Sequence, residues 1–125
     1  MVFKIHTSKK TQSCFEEIQA SENLQPYILS KLAISMSIKS GEPLNESDFI
    51  TDSYGLEFNR QTITGEFDLL YKCLIEMFED KHISDDDYFQ KYLKAHLDRG
   101  AAMIYSEFRY HKDFILALVS SKEGV

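Results

Sequence analysis

Apolar and polar residues alternate at the start of the chain and then settle into helical spacing. Over residues 2–6 this alternation predicts a short strand, with Phe3 and Ile5 on one face and Lys4 and His6 on the other. Thr7 or Ser8 suits the N-cap of a following helix whose apolar stripe is Cys14, Phe15, Ile18 and Leu24, with Asn23 as its stop. Pro26 fits the first turn of a second helix, since its missing N–H would be unpaired there anyway. Ile28, Leu29, Leu32, Ala33 and Met36 would form its buried face, and Gly41 and Pro43 would end it.

Residues 42–64 break the periodicity, with Gly, Pro, Asn, Asp and Ser clustered, turns expected at Tyr54-Gly55 and Asn59, and a short extended piece at residues 62–64. After Thr64 or Gly65 a clear amphipathic helix carries Phe67, Leu70, Tyr71, Leu74, Met77 and Phe78. Ser84 followed by Asp87 resembles a capping box that opens a last long helix bearing Phe89, Leu93, His96, Leu97, Gly100, Met103, Ile104 and Phe108. Gly100 in mid-helix should cost about 1 kcal/mol relative to Ala, which points to a close helix–helix contact. Residues 114–119 are apolar enough to dock on the body or on another subunit. The fold class is therefore mainly α with minor β. An N-terminal strand–helix–helix unit, ribbon-helix-helix-like, is followed by an extended loop and two longer amphipathic helices in one domain over residues 1–125.

Composition narrows the function classes. At 125 residues and 43% hydrophobic the chain suits one globular domain. No apolar run approaches the roughly 20 residues that span a bilayer, so no membrane partner is expected. The opening residues lack the apolar region of a signal peptide, and Cys14 and Cys73 form no disulfide framework, which predicts a cytoplasmic protein. The formal net charge of −6 hides an asymmetry: residues 1–40 carry five Lys and three Glu, a balance of +2, leaving −8 over the rest. A mildly basic N-terminal segment on an acidic body is compatible with one side facing a polyanion.

Catalytic constellations are absent from the sequence. The histidines are scattered, none in HExxH, the five glycines are isolated, and no nucleophile–base pair is visible, so neither a metal nor another cofactor is expected. The run Asp85-Asp86-Asp87 reads as a solvated helix start facing the positive end of the dipole. A polar cluster of Glu57, Asn59, Glu66, Asp68, His96 and Arg99 has two readings. The structural one pairs Glu66 or Asp68 with Arg99 across packed helices; the other makes Arg60 and Arg99 phosphate ligands. The strand likewise has two: pairing inside one chain, or a ribbon of two chains that presents Lys4 and His6 to a DNA groove, as a transcriptional regulator or antitoxin would. The first turn of the next helix, around residues 8–10, offers amide N–H groups to a phosphate.

The stretch Glu57-Phe58-Asn59-Arg60-Gln61-Thr62-Ile63-Thr64-Gly65-Glu66-Phe67-Asp68 resembles the E-F-N-R-x-T-x-x-G-E-x-D run of the DNA sulfur modification family DndE. His96-Leu97-Asp98-Arg99-Gly100 resembles that family's H-x-x-R-G segment, and residues 31–38 are similar to its second-helix run of aliphatic and small residues. The resemblance implies a small non-catalytic component of the machinery that replaces a non-bridging phosphate oxygen of DNA with sulfur. It also implies a homotetramer that contacts partner subunits and prefers nicked duplex DNA through surface lysines. The candidate DNA-binding residues are Lys4, His6, Lys9, Lys10, Lys31, Lys39 and Arg60. One departure stands out: the family's first helix is basic in its second half, whereas this chain has Glu16, Glu17 and Glu22. That shifts weight towards protein binding within the complex.

Overall fold

The computed structural model describes residues 2–110. Strand β1 (Lys4–His6) leads into α1 (Lys9–Glu22) and α2 (Pro26–Lys39). A loop with a 3-10 turn at Glu46–Phe49 then reaches β2 (Glu57–Asn59) and the single-turn α3 (Arg60–Ile63). A second 3-10 turn (Gly65–Phe67) precedes α4 (Asp68–Glu79). The last rod runs over residues 85–110 as α5 (Asp85–Asp87), a π segment (Tyr88–Leu93) and α6 (Lys94–Tyr110). The fold class is as the sequence predicts; the predicted tail at residues 114–119 lies outside the described residues.

Local chemistry sets the element ends. Ser8 caps α1 by accepting from the Thr11 amide, and Asn23 closes it in the left-handed conformation at φ 56°. Pro26 opens α2, and Ser84 caps α5 through the Asp87 amide. In the loop, Asn45 and Asp48 form a reciprocal capping box around the 3-10 turn.

Antiparallel pairing joins β1 to β2, with Lys4 opposite Asn59, Ile5 opposite Phe58 and His6 opposite Glu57. The ribbon is thus built within one chain, from β1 and β2. The extended piece expected at residues 62–64 falls instead on Glu57–Asn59. Residues 62–64 close a helical turn because Thr64 returns both its amide and its hydroxyl to the Arg60 carbonyl. Ile5 is buried as expected, but Phe3 is 64% exposed, since it precedes the paired residues and alternation fixes a face only inside the ladder.

The core is a continuous cluster that includes Phe15, Ile18, Leu29, Ile34, Ile63, Tyr88, Phe89, Leu93, Leu97 and Ile104. α2 lies against α6 along its length. Its buried face is Leu29, Ser30, Ala33, Ile34, Ser37 and Ile38, so the expected face is rotated: Leu29 and Ala33 keep their places while Ile28, Leu32 and Met36 move to the rim. Close approach explains the rotation, because a Cβ on Gly100 would sit 1.7 Å from the Ala33 carbonyl oxygen. Only small side chains fit such a seam, and the Ser30 hydroxyl there is satisfied by the Pro26 carbonyl. On α4 the buried residue is Ile75, which the expected stripe does not include; of that stripe Tyr71 and Leu74 are half-buried, and Phe67, Leu70, Met77 and Phe78 are exposed.

Candidate nucleic-acid interface

Lys4 and His6 face outward on the ribbon, as the alternation predicts, but they do not stand alone. Glu57 on the paired strand takes Lys4 Nζ at 3.3 Å on one carboxylate oxygen and His6 Nε2 at 2.9 Å on the other. Those hydrogen bonds, Lys4 first, hold the Glu57 carboxyl below the usual range. Glu57 therefore belongs to the ribbon face and not to the interior cluster. Asn59 is exposed beside it.

The first turn of α1 does attract anions, and the chain supplies them itself. Ser8 N–H donates to Asp98 Oδ1 at 3.1 Å and Lys9 N–H to Asp52 Oδ1 at 2.8 Å, while the Thr11 amide is taken by Ser8. Amide bonds from Tyr54 and Lys9 keep Asp52 low in pKa. The amide groups expected to hold a phosphate are thus mostly committed, and the exposed side chains of Lys9 and Lys10 are what this corner presents. Lys31 is exposed on α2 with Nζ 5.9 Å from the Tyr27 ring centroid, and Lys39 is exposed at the end of the same helix.

Arg60 is corrected by the structure. It is 7% exposed, and all five of its N–H donors are used. Two reach Asp68 at 3.0 and 2.6 Å, two reach Asp85 at 2.9 and 2.7 Å, and one reaches the Val2 carbonyl at 3.0 Å. Its guanidinium carbon lies 4.8 Å from the Phe89 ring centroid. Bonds to Asp85 and Asp68 raise the pKa of Arg60 further. Burial alone would lift Asp68, but bonds from Arg60, Thr64 and Tyr88 hold it low, and Arg60 does the same for Asp85. Such a guanidinium has no donor left for a phosphate. Asp85 is also no merely solvated residue: it is half of the clamp that ties α5 to α3 and α4. Asp85 stands 25 residues from Arg60, so the sequence marks it only as a carboxylate at a helix start and not as that arginine's partner.

Arg99 pairs with neither Glu66 nor Asp68, because Asp68 belongs to Arg60 and Glu66 is exposed. Arg99 instead staples α6 to the end of α2: Nε donates to Ser37 Oγ at 2.8 Å, and the terminal nitrogens donate to the carbonyls of Ser37, Glu42 and Pro43. Asp98, next to it, is a second buried hub. It accepts from the Ser8 amide, from the Thr11 and Thr51 hydroxyls at 2.7 and 2.9 Å, and from Lys94 Nζ at 2.8 Å. Lys94 stands four residues before Asp98, a spacing visible in the sequence.

His96 is 1% exposed, with Nδ1 in a 2.8 Å hydrogen bond with Ser37 Oγ and Nε2 without a partner among the described residues. Burial, then the Arg99 charge, pushes its pKa from 6.5 down to about 4. Because the unfolded chain binds the proton more readily, stability is full above pH 6.5 and falls as the pH drops towards 4. The loss attributable to this ring is about 3 kcal/mol. Urea midpoints measured across that window should decline in the parent chain and stay nearly flat in His96→Asn; equal declines would show that other groups carry the dependence.

Among the described residues no group of three or more His, Cys, Asp or Glu is placed to hold a metal, and no helix is long and apolar enough to cross a membrane. The family model for DNA sulphur modification protein DndE matches residues 4–112. No curated protein matches. Among solved structures, the crystal structure of DndE from Escherichia coli B7A, involved in DNA phosphorothioation modification, superposes with a TM-score of 0.66. It is 17% identical to this chain and covers 82% of it and 97% of its own length. A DndE mutant involved in DNA phosphorothioation gives the same TM-score and coverage at 18% identity. With the family matched over nearly all the described residues, the chain belongs to the DndE family of DNA sulphur modification proteins, and its role lies in DNA phosphorothioate modification.

Proposed function

We propose that the chain is a non-catalytic subunit that holds nicked duplex DNA by its backbone and joins it to the other sulfur modification subunits, as a homotetramer. The observation that carries this reading is the division of its polar groups. Arg60, Asp68, Asp85, Lys94, Asp98 and Arg99 are spent on joining elements, while Lys9 and Lys10 project beside the ribbon that bears Lys4 and His6. Lysines so arranged are point charges suited to phosphates and carry no base pattern. Strand interruption exposes the phosphodiester at which an oxygen would be exchanged for sulfur, which fits a preference for nicks.

With Lys9, Lys10 and Lys31 on three phosphates, the logarithm of affinity should fall with the logarithm of salt at a slope of about −3. Lys9→Glu with Lys10→Glu should weaken binding to all duplexes alike, bring that slope to about −1, and leave the melting temperature unchanged. Anisotropy titrations against nicked and intact duplexes of several sequences test this. Unaltered affinity in the double variant, or a preference set by base sequence, would overturn the reading.

A further inference from the structure

The outer face of the ribbon cancels its own charge. Glu57 stands directly opposite His6 in the ladder and diagonal to Lys4, which lies opposite Asn59. One of its carboxylate oxygens takes His6 Nε2 at 2.9 Å and the other takes Lys4 Nζ at 3.3 Å, so both oxygens are engaged at once. A carboxylate only accepts, so the His6 ring carries a proton on Nε2 and donates it to Glu57. Roughly half of each side chain is open to solvent, and a phosphate approaching the ribbon therefore meets donors that already hold an anion. With His6 uncharged, the three side chains sum to zero. Lys9 Nζ, by contrast, rests on the neutral side chain of Gln12 at 3.3 Å.

Resting on the DNA-holding reading above, we propose that Glu57 is an internal competitor for phosphate, an autoinhibitory contact that keeps Lys4 and His6 off the DNA backbone. The competition is an exchange of like for like. The Glu57 carboxylate and a phosphodiester each carry one negative charge, so passing Lys4 from one to the other gains little Coulomb energy. A displaced carboxylate would then stand unpaired beside the arriving phosphate, and that repulsion favours the closed contact. The backbone also holds Glu57 in place. On one side the Thr7 amide donates to the Leu56 carbonyl and the Gly55 amide to the Thr7 carbonyl; on the other the Arg60 amide donates to the Phe3 carbonyl. Only rotation of the Glu57 side chain can open the contact. The grip on DNA then falls to Lys9, Lys10 and Lys31, with Lys4 and His6 as a reserve of donors held back by the ribbon itself.

Glu57→Gln keeps the length of the side chain and its ability to hydrogen-bond while removing its charge. In the full chain it should tighten binding to nicked duplex about fivefold and steepen the salt slope by about one, with the melting temperature unchanged. Lys4→Ala should cost the parent little, yet cancel most of the gain when combined with Glu57→Gln. Glu66→Gln makes the same charge change on an exposed residue outside the ribbon and should tighten binding by about twofold at most. Equal gains in the two Gln variants, or a gain in Glu57→Gln that survives Lys4→Ala, would overturn the proposal. A second readout needs no DNA: the NMR signals of the His6 ring during titration with inorganic pyrophosphate. They should move in Glu57→Gln at concentrations that leave the parent's in place, and equal movement in both chains would overturn the proposal. If neither chain binds any duplex while the ring signals respond as expected, the DNA reading falls and the contact at Glu57 stands.

Discussion

Arg60→Ala should lower the stability of the chain by about 3–5 kcal/mol, the range for removing one partner from a buried ionic cluster. The substitution removes five hydrogen bonds and leaves behind two carboxylates placed to receive them. Asp68 retains its Thr64 and Tyr88 donors, but no cation, and Asp85 loses both of its guanidinium contacts at the start of the long rod. Three elements then separate at one point, since Arg60 opens α3, Asp68 opens α4 and Asp85 opens α5. Arg60→Lys should recover only a minority of the loss, because one ammonium cannot serve two carboxylates with a planar fork. Acid provides an internal control. Both carboxyls are held low in the folded parent, so their contribution is present above the ordinary carboxylate value and lost as the pH falls through the depressed one. The gap between parent and Arg60→Ala should therefore be widest at neutral pH and narrow in acid. Thermal melts would show it as a fall of about 10 °C or more at pH 7. A gap under about 1 kcal/mol would mean that water replaces the guanidinium at little cost.

The positions of the helices were legible because their signals are local. Ser8, Asn23, Pro26 and Ser84 act within one turn, and each ends an element where the sequence predicts. The contact at Gly100 was legible too, since a glycine in mid-helix loses propensity for no local gain. Faces were harder to read. Hydrophobicity placed Ile28, Leu32 and Met36 inward on α2, whereas a close seam selects small side chains and turns Ser30 and Ser37 to the core. For α4 the expected stripe missed the buried face: Ile75, which it did not include, is the buried residue, and only Tyr71 and Leu74 of the stripe are half-buried. The polar cluster expected as one set is split: Glu57, Asn59 and Glu66 are exposed, Asp68 lies in one buried site, and His96 and Arg99 meet Ser37 in another. Asp68 joins Arg60, eight residues back, and Asp85, remote in sequence, completes the site, while Arg99 is held mainly by backbone carbonyls that no residue identity reveals. The comparison with family motifs identified those residues without telling ligand from strut, and burial decides between them.

Gly100→Ala should be the other severe substitution, and its direction is opposite to the helical ledger. In an exposed helix the change would gain about 1 kcal/mol. Here the new Cβ would fall 1.7 Å from the Ala33 carbonyl oxygen and 2.3 Å from its carbon, far inside van der Waals contact. Backbone lies on both sides of the clash, so no rotamer relieves it and α2 must move off α6. The net loss should be about 3 kcal/mol or more, at or beyond the upper end of ordinary overpacking. Ala33→Gly in the same chain should not rescue it, because the obstacle is the carbonyl and not the Ala33 methyl; rescue would show that the helices slide past each other instead of parting. The consequence also reaches the proposed DNA face. Asp98 and Arg99 sit immediately before Gly100, the first holding the start of α1 through Ser8 and Thr11, the second holding the end of α2 through Ser37. Displacing α6 therefore loosens the corner that presents Lys9 and Lys10. Any folded fraction of Gly100→Ala should bind nicked duplex more weakly than the parent at equal salt, and parent-like binding by a destabilised variant would show that the corner is held by the ribbon alone.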